Sequence, residues 1–316
     1  MKNFFIIIIA VIIGLFLINV VRDQIIRGIA TVAVTKVIGA PVHINNLSLG
    51  LMRQTVRLSG FRIYNPKDFP RGILVDMPNI FVDLDAFALL KGKIHVQKID
   101  IQLKEIGLIK NKEGKLNVDS LKISQQQPKK EDKKSGNQLA IQMDLVNLSM
   151  GRVVSKNYGP GQKPEIRVYD INIKKTYKNI NSVQQLTGLI IAEPLKAAGI
   201  QGATIYGASM LTGVAALPVA AAFAFTAKDH AIADFSLGWD KVYNAGLKVL
   251  KDAGSVKKED KAAGVIEAAV YGSDVTLKLK KISYNKTEIM ASARKFMLPQ
   301  IEIAAGIIYQ ISEELK

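Results

Sequence analysis

The chain has 316 residues, with 43 Lys and Arg against 27 Asp and Glu, a formal charge of +16 and a mean hydropathy of +0.16. That length suffices for two modest domains, and the charge suits an anionic partner such as acidic lipid, lipopolysaccharide or nucleic acid. No Cys is present, which excludes structural disulfides, thiolate metal sites, a thiol nucleophile and lipid attachment through Cys.

The nucleic-acid reading also fails, because no basic cluster interleaved with aromatics occurs. Residues 4–21 read FFIIIIAVIIGLFLINVV, an uncharged run long enough to cross a bilayer as a helix. A cleaved signal peptide needs a small-residue site, but Arg22, Asp23 and Gln24 follow instead. Residues 1–21 are therefore expected to be a transmembrane anchor, with an amphipathic juxtamembrane helix over 22–39.

From Ala40 the period changes to two. Val42 and Ile44 give way to Leu47, Leu49 and Leu51, and Val56 and Leu58 continue past Gly60 into Phe61 and Ile63. Ile80, Val82 and Leu84 alternate with Asp83 and Asp85. Ile94 and Val96 are followed by Ile99, Ile101 and Leu103, and the skipped beat at Gln97 and Lys98 predicts a bulge. Leu139 to Leu145, and Ile166 with Val168, alternate again. Such alternation marks strands with one apolar and one polar face. Residues 40–175 thus predict a mostly antiparallel sheet, as an open trough or as a closed sandwich, within a β-rich domain over 40–196. Residues 125–138, QQQPKKEDKKSGNQ, carry no apolar side chain and read as a disordered loop inside the sheet.

The succession IGAPVHINNLSLGL, LSGFRIYNPKDFP, IFVDLDAFALLKGKIHVQKIDI and LIKNKEGKLNVDSL, behind an N-terminal anchor, resembles the AsmA family of envelope proteins. The resemblance covers residues 1–124 and extends over 139–196. It implies an inner-membrane anchor, a β-rich periplasmic domain and lipid handling in a bacterial envelope. The lipid-contact candidates are apolar strand residues: Ile44, Ile63, Val82, Leu84, Val96 and Ile101.

Residues 197–227 are uncharged and rich in Ala and Gly, with Pro218 inside. They read either as a packed helical element that does not span or as a second span. Residues 228–316 predict a small α-β-β-β-α module. Its helices cover the stretch around Trp239 to Leu250 and the tail from Pro299, and Trp239 is expected at a helix–sheet contact. This module resembles a small domain of unknown function in bacterial envelope lipoproteins.

No HExxH, nucleophile elbow or Walker loop occurs, and His43, His95 and His230 lack metal-site spacing with carboxylates. His43 and His95 read as solvent-facing, and Asp83 and Asp85 as surface carboxylates. No enzyme, metal or cofactor is expected. The expected fold class is α+β behind a transmembrane helix. The expected function is that of a membrane-anchored periplasmic protein that binds or helps transfer phospholipid or another acyl lipid; the alternative is a structural protein that docks an envelope partner.

Overall fold

A computed structural model of the chain describes residues 27–28, 31–32, 34–36, 38–50, 53–85, 87–88, 93–121, 140–159, 163–200 and 229–316. The expected anchor at 1–21, the polar loop at 125–138, and all but the first four residues of the stretch at 197–227 lie outside them. Among the described residues, 27–28, 31–32, 34–36 and 38 are helical.

Two compact units emerge. One comprises Met1–Ile106, Asn117–Gly151 and Ile171–Ala221; the other comprises Gly107–Leu116, Arg152–Asp170 and Ala222–Lys316. Six strands form the first sheet in sequence order: β1 (Val42–Gly50), β2 (Thr55–Tyr64), β3 (Ile73–Leu84), β4 (Lys93–Lys110), β5 (Ala140–Asn157) and β6 (Glu165–Ile180). The expected choice between trough and sandwich resolves into a single open sheet with β1 and β6 at its edges.

Strands β1 to β4 are an antiparallel meander. The expected bulge at Gln97 is there: Asp83 faces Lys98, but Leu84 faces Val96. The mostly antiparallel sheet expected from the sequence has an exception at β4 and β5. His95 meets Asp144, Asp100 meets Asn147, and Ile101 meets Ser149. The separation stays at 47 to 49 residues, so the two strands run in the same direction. Parallel neighbours need a crossover, and the residues between Lys110 and Ala140 supply it.

One level of this sheet carries a crease. Strict alternation would put every second side chain on one face. Instead, two residues separate consecutive inward ones in each meander strand: Ile44 from Leu47, Leu58 from Phe61, Met77 from Ile80, and Leu103 from Ile106. The paired residues match across strands, with Ile44 opposite Phe61 and Leu47 opposite Leu58. Phe61 in turn faces Met77, and Leu58 faces Ile80. Gly60 sits in this crease with φ +62, where a Cβ would stand 2.8 Å from Asn45 Cβ. Pro78, which has no amide proton to give, occupies the same level of β3. On β5 the crease falls at Gly151, where a Cβ would lie 2.5 Å from the Lys104 carbonyl oxygen.

Helix α1 (Val183–Ala197) follows β6. Ser182 caps it by accepting from the Gln185 amide at 3.1 Å. It buries Leu189, Ile191 and Leu195. Lys175, on the same side of β6 as buried Ile173 and Tyr177, pairs with the nearly buried Glu193 carboxylate of α1. Helix and apolar sheet face are thereby clamped. Burial, and then the Glu193 charge, push the Tyr177 hydroxyl pKa far upward.

In the second unit, β7 (His230–Phe235), α2 (Trp239–Ala253), β8 (Gly254–Asp260), β9 (Val265–Val270), β10 (Ser273–Ser283), β11 (Lys286–Lys295), β12 (Leu298–Pro299) and α3 (Ile301–Glu314) follow in order. The three strands read from the sequence are β9, β10 and β11; β7, β8 and the two-residue β12 add to them, so the module is more than α-β-β-β-α. The sheet order is β12-β11-β10-β9-β8, with β7 paired to β11. Tyr243 and Leu250 of α2 and Ile303, Ile307 and Ile311 of α3 close its core over Ile266, Leu277 and Ile289. Trp239 is at that helix–sheet contact, stacked on Tyr243 at 4.8 Å. In the same unit, Ala305 and Tyr309 of α3 pack on Val154, Ile166 and Val168, and Arg167 binds Glu302 at 3.1 Å.

The expected transmembrane architecture is corrected here. No described helix is long and apolar enough to cross a membrane. The longest, α1 and α2, have 15 residues each. At 1.5 Å per residue such a helix spans about 22 Å, short of the roughly 30 Å hydrocarbon core.

The crease generates a stability prediction. Gly60→Ala forces a side chain into a left-handed conformation against Asn45, and should cost about 1–2 kcal/mol. Gly151→Ala pushes β5 off the Lys104 carbonyl and should cost about 1–3 kcal/mol. Urea unfolding followed by circular dichroism should show a lower midpoint for both, and wild-type midpoints would contradict the crease.

Candidate functional site

The two faces of the first sheet differ in chemistry, and the apolar one is not uniformly covered. On one side of the crease its cross-strand rows are sealed: Val42 faces Ile63, Ile63 faces Val75, Val75 faces Ile106, and all are buried. On the other side the rows open. Leu49, Val56 and Val82 are half-buried, and their row ends at buried Ile99. The neighbouring row opens at Leu58 and Ile80 and ends at buried Ile101. Leu84 extends the open patch, facing Val96.

The six lipid-contact candidates therefore separate. Ile44 and Ile63 lie in the sealed part, at 3% and 7% exposure. Val96 and Ile101, at 6% and 4%, form a buried wall on β4. Val82 and Leu84 alone lie in the half-open patch. Period two puts all six on one face but says nothing of what covers each. The half-open neighbours Leu49, Val56, Leu58 and Ile80 had the same signal in their alternation and were not singled out.

Beside this patch stands His95, which the sequence placed in solvent. Its ring is bracketed by two carboxylates: Nδ1 lies 3.2 Å from Asp85 Oδ2 and Nε2 lies 2.8 Å from Asp144 Oδ2. The Asp85 carboxylate also accepts the Phe87 and Ala88 amides, at 3.0 and 3.1 Å, as an acidic residue does at the start of a helical turn. Gln142 donates to the other oxygen of Asp144 at 2.6 Å.

Hydrogen bonding to Asp144, then to Asp85, raises the His95 pKa. The His95 bond, then the Ala88 and Phe87 amides, lower that of Asp85. The Gln142 bond, then His95, lower that of Asp144. Both ring nitrogens are committed to carboxylates, so His95 serves as an ion-pair bridge and not as a metal ligand or base. Asp144 was missed because it lies 49 residues from His95, across the parallel pair, where no local pattern announces a partner. Asp83, by contrast, faces Lys98 across the strands. His43 is exposed, as expected.

The AsmA family profile matches residues 2–184, more than half of the chain. The chain belongs to the AsmA family. No curated protein matches it. The AsmA match ends within α1, and no match supports a lipoprotein-like domain in the remainder. AsmA proteins are non-catalytic scaffolds, and this chain is not an enzyme. Among the described residues no cluster of His, Asp or Glu could hold a metal ion.

Family membership does not restore the anchored reading. No described helix crosses a membrane, so inner-membrane anchoring, the membrane partnership and the placement built on it are not retained. The same holds for lipid transfer by a membrane-anchored periplasmic protein.

The bracket in this AsmA domain is pH-sensitive in both directions. Protonated His95 contributes stability fully below about pH 6.5, the ordinary imidazole value, and that contribution fades as pH rises through the raised folded-state value. Asp85 and Asp144 contribute above about pH 3.9, and that is lost as pH falls through their lowered values. Asp144→Asn should move the His95 titration midpoint downward in imidazole-resolved NMR, and Asp85→Asn should do so to a smaller extent. An unmoved midpoint would refute the bracket.

Proposed function

We propose that this chain is a non-catalytic AsmA-family binding scaffold whose first sheet holds an apolar, acyl-type ligand on the half-open end of its apolar face. The observation that supports this is the change in cover across the crease. The rows are sealed on one side and only half-buried at Leu49, Val56, Leu58, Ile80, Val82 and Leu84 on the other. Contiguous apolar surface of this kind, rimmed by polar groups, marks interaction sites. Phe87, 69% exposed, stands just beyond Leu84 at the same end of β3.

In this reading Val82 and Leu84 touch the ligand, with Val96 and Ile101 as the wall behind them. Ile44 and Ile63 belong to the packed core that keeps the patch rigid. Binding derives from burial of apolar area, at about 25 cal/mol per Å² removed from water, and needs no charged anchor within the patch. The reading requires neither a membrane anchor nor a particular compartment.

The test uses a fluorescent fatty acid, cis-parinaric acid, titrated into the full chain. Wild type should enhance its fluorescence. Leu84→Asp and Val82→Asp introduce a carboxylate at half-buried positions that reach water, and should weaken affinity at least about tenfold, roughly 1.4 kcal/mol, in protein that thermal unfolding shows to be folded. Ile101→Asp is the wrong probe, because its 4% exposure makes it a folding defect first. No enhancement by wild type, or unaltered affinity in both variants, would sink the reading.

A further inference from the structure

The opposite, polar face of the same sheet has a hollow of its own. Its volume is about 490 Å³. It is lined by residues two apart on successive strands, which brings Asn79 and Phe81 of β3 beside Asp100 and Gln102 of β4. Asn147 and Ser149 of β5 and Thr176 of β6 add further polar groups, and Lys174 and Lys175 of β6 lie in the lining as well. None of these side chains belongs to the apolar patch: Asn79 and Phe81 alternate with Ile80 and Val82 along β3.

Three features set this face apart. First, in a chain with 43 basic and 27 acidic residues, five residues of the lining are amides or hydroxyls: Asn79, Gln102, Asn147, Ser149 and Thr176. Second, those groups are fixed before any ligand arrives. The Asn79 amide donates to Gln102 Oε1 at 2.8 Å, the Asn147 amide donates to Asp100 Oδ1 at 2.7 Å, and the Thr176 hydroxyl donates to Asn147 Oδ1 at 2.8 Å. Ser149 is tied to the Ile101 carbonyl at 3.3 Å. Each amide used in this way keeps unused capacity. Asn79 retains its carbonyl oxygen, Gln102 its two N–H donors, and Thr176 its oxygen lone pairs. Donors and acceptors thus recur at the strand spacing of about 4.8 Å on rotamers already locked.

Third, the lining carries both signs of charge, while one wall is aromatic. Asp100, the acid of the hollow, is paired with Lys98 at 2.9 Å. Phe81 supplies the apolar wall, and Arg57 stands over its ring at 5.3 Å from the centroid. Lys175 is paired with Glu193, and Lys174 also lines the hollow, so a basic group stands beside the neutral ones. Fixed amides and hydroxyls beside an aromatic ring suit a ligand with hydroxyls around its edge and C–H groups on its face.

We propose that this hollow is a saccharide-binding site. A sugar ring would place hydroxyls on Asn79, Gln102 and Thr176, and C–H groups on Phe81. The site is independent of the acyl patch on the other face.

The experiment is saturation-transfer difference NMR on the full chain, with the methyl glycosides of glucose, galactose, mannose and N-acetylglucosamine as probes. Transfer to the ring protons of at least one glycoside is expected. It should fall at least about fivefold in Gln102→Leu, whose side chain is exposed and whose loss leaves the fold intact, and in Phe81→Ala. Thermal unfolding verifies that both variants are folded. Leu84→Asp, on the opposite face, should leave transfer unchanged. Absence of transfer from all four glycosides, undiminished transfer in both hollow variants, or loss of transfer in folded Leu84→Asp would each overturn the assignment.

Discussion

The interaction on which the first sheet depends is the matched change of phase across its strands. Side chains alternate with a period of two, so one strand that skips a beat alone would turn its apolar set to the wrong face. Here β1 to β4 skip within two residues of the same level, and the inward residues still meet: Ile44 with Phe61 and Phe61 with Met77. Gly60 and Gly151 allow the strands to approach closely there, and Pro78 withholds a ladder hydrogen bond. Without the match, the rows on either side of the crease would not share a face.

That constraint divides the molecule's chemistry. On one side of the crease the apolar face is sealed core. On the other, the apolar rows are half-open, the His95 bracket ties β4 to β5, and the polar face hollows around Phe81 and Asn147. An AsmA-family scaffold is thereby left with two surfaces of opposite character on one set of strands. Each surface is rigid for its own reason: packed side chains behind the apolar patch, and a hydrogen-bond ladder across the polar hollow.

Much of this was legible in the alternation. The strands of the meander, the bulge at Gln97 and the apolar set all follow from local pattern, because half-buried strands print their faces into the sequence. The family, too, was legible in the order of its turn and strand motifs. What failed was non-local. The parallel pairing of β4 with β5 depends on where a crossover returns the chain, and no dipeptide marks it. The partnership of His95 with Asp144 was hidden for the same reason. Strand β8 was missed because GSVKKED has no apolar beat, as an exposed edge can afford. Burial was the other blind spot: Leu84 and Ile101 look alike in sequence, yet one is half-open and the other is 4% exposed. The anchored architecture fell because it rested on the apolar run at 1–21, while the described helices are too short to span.

The parallel pair also sets an order of assembly. Strands β1 to β4 are joined by short connections, so each can zip onto its predecessor as soon as it is made. Strand β5 cannot. Its partner ends at Lys110, and the chain must travel to Ala140 before the pairing can begin. Closing that larger loop carries an entropic cost before any contact repays it, which slows the step. The meander is thus the natural nucleus, and until β5 arrives the edge of β4 is an unpaired strand with buried-type residues such as Leu103, Ile106 and Leu108 along it. A chain still emerging from the ribosome would display that edge for the time taken to make the crossover. This interval, more than any weakness of the finished fold, is where the protein is most exposed to pairing with the wrong strand.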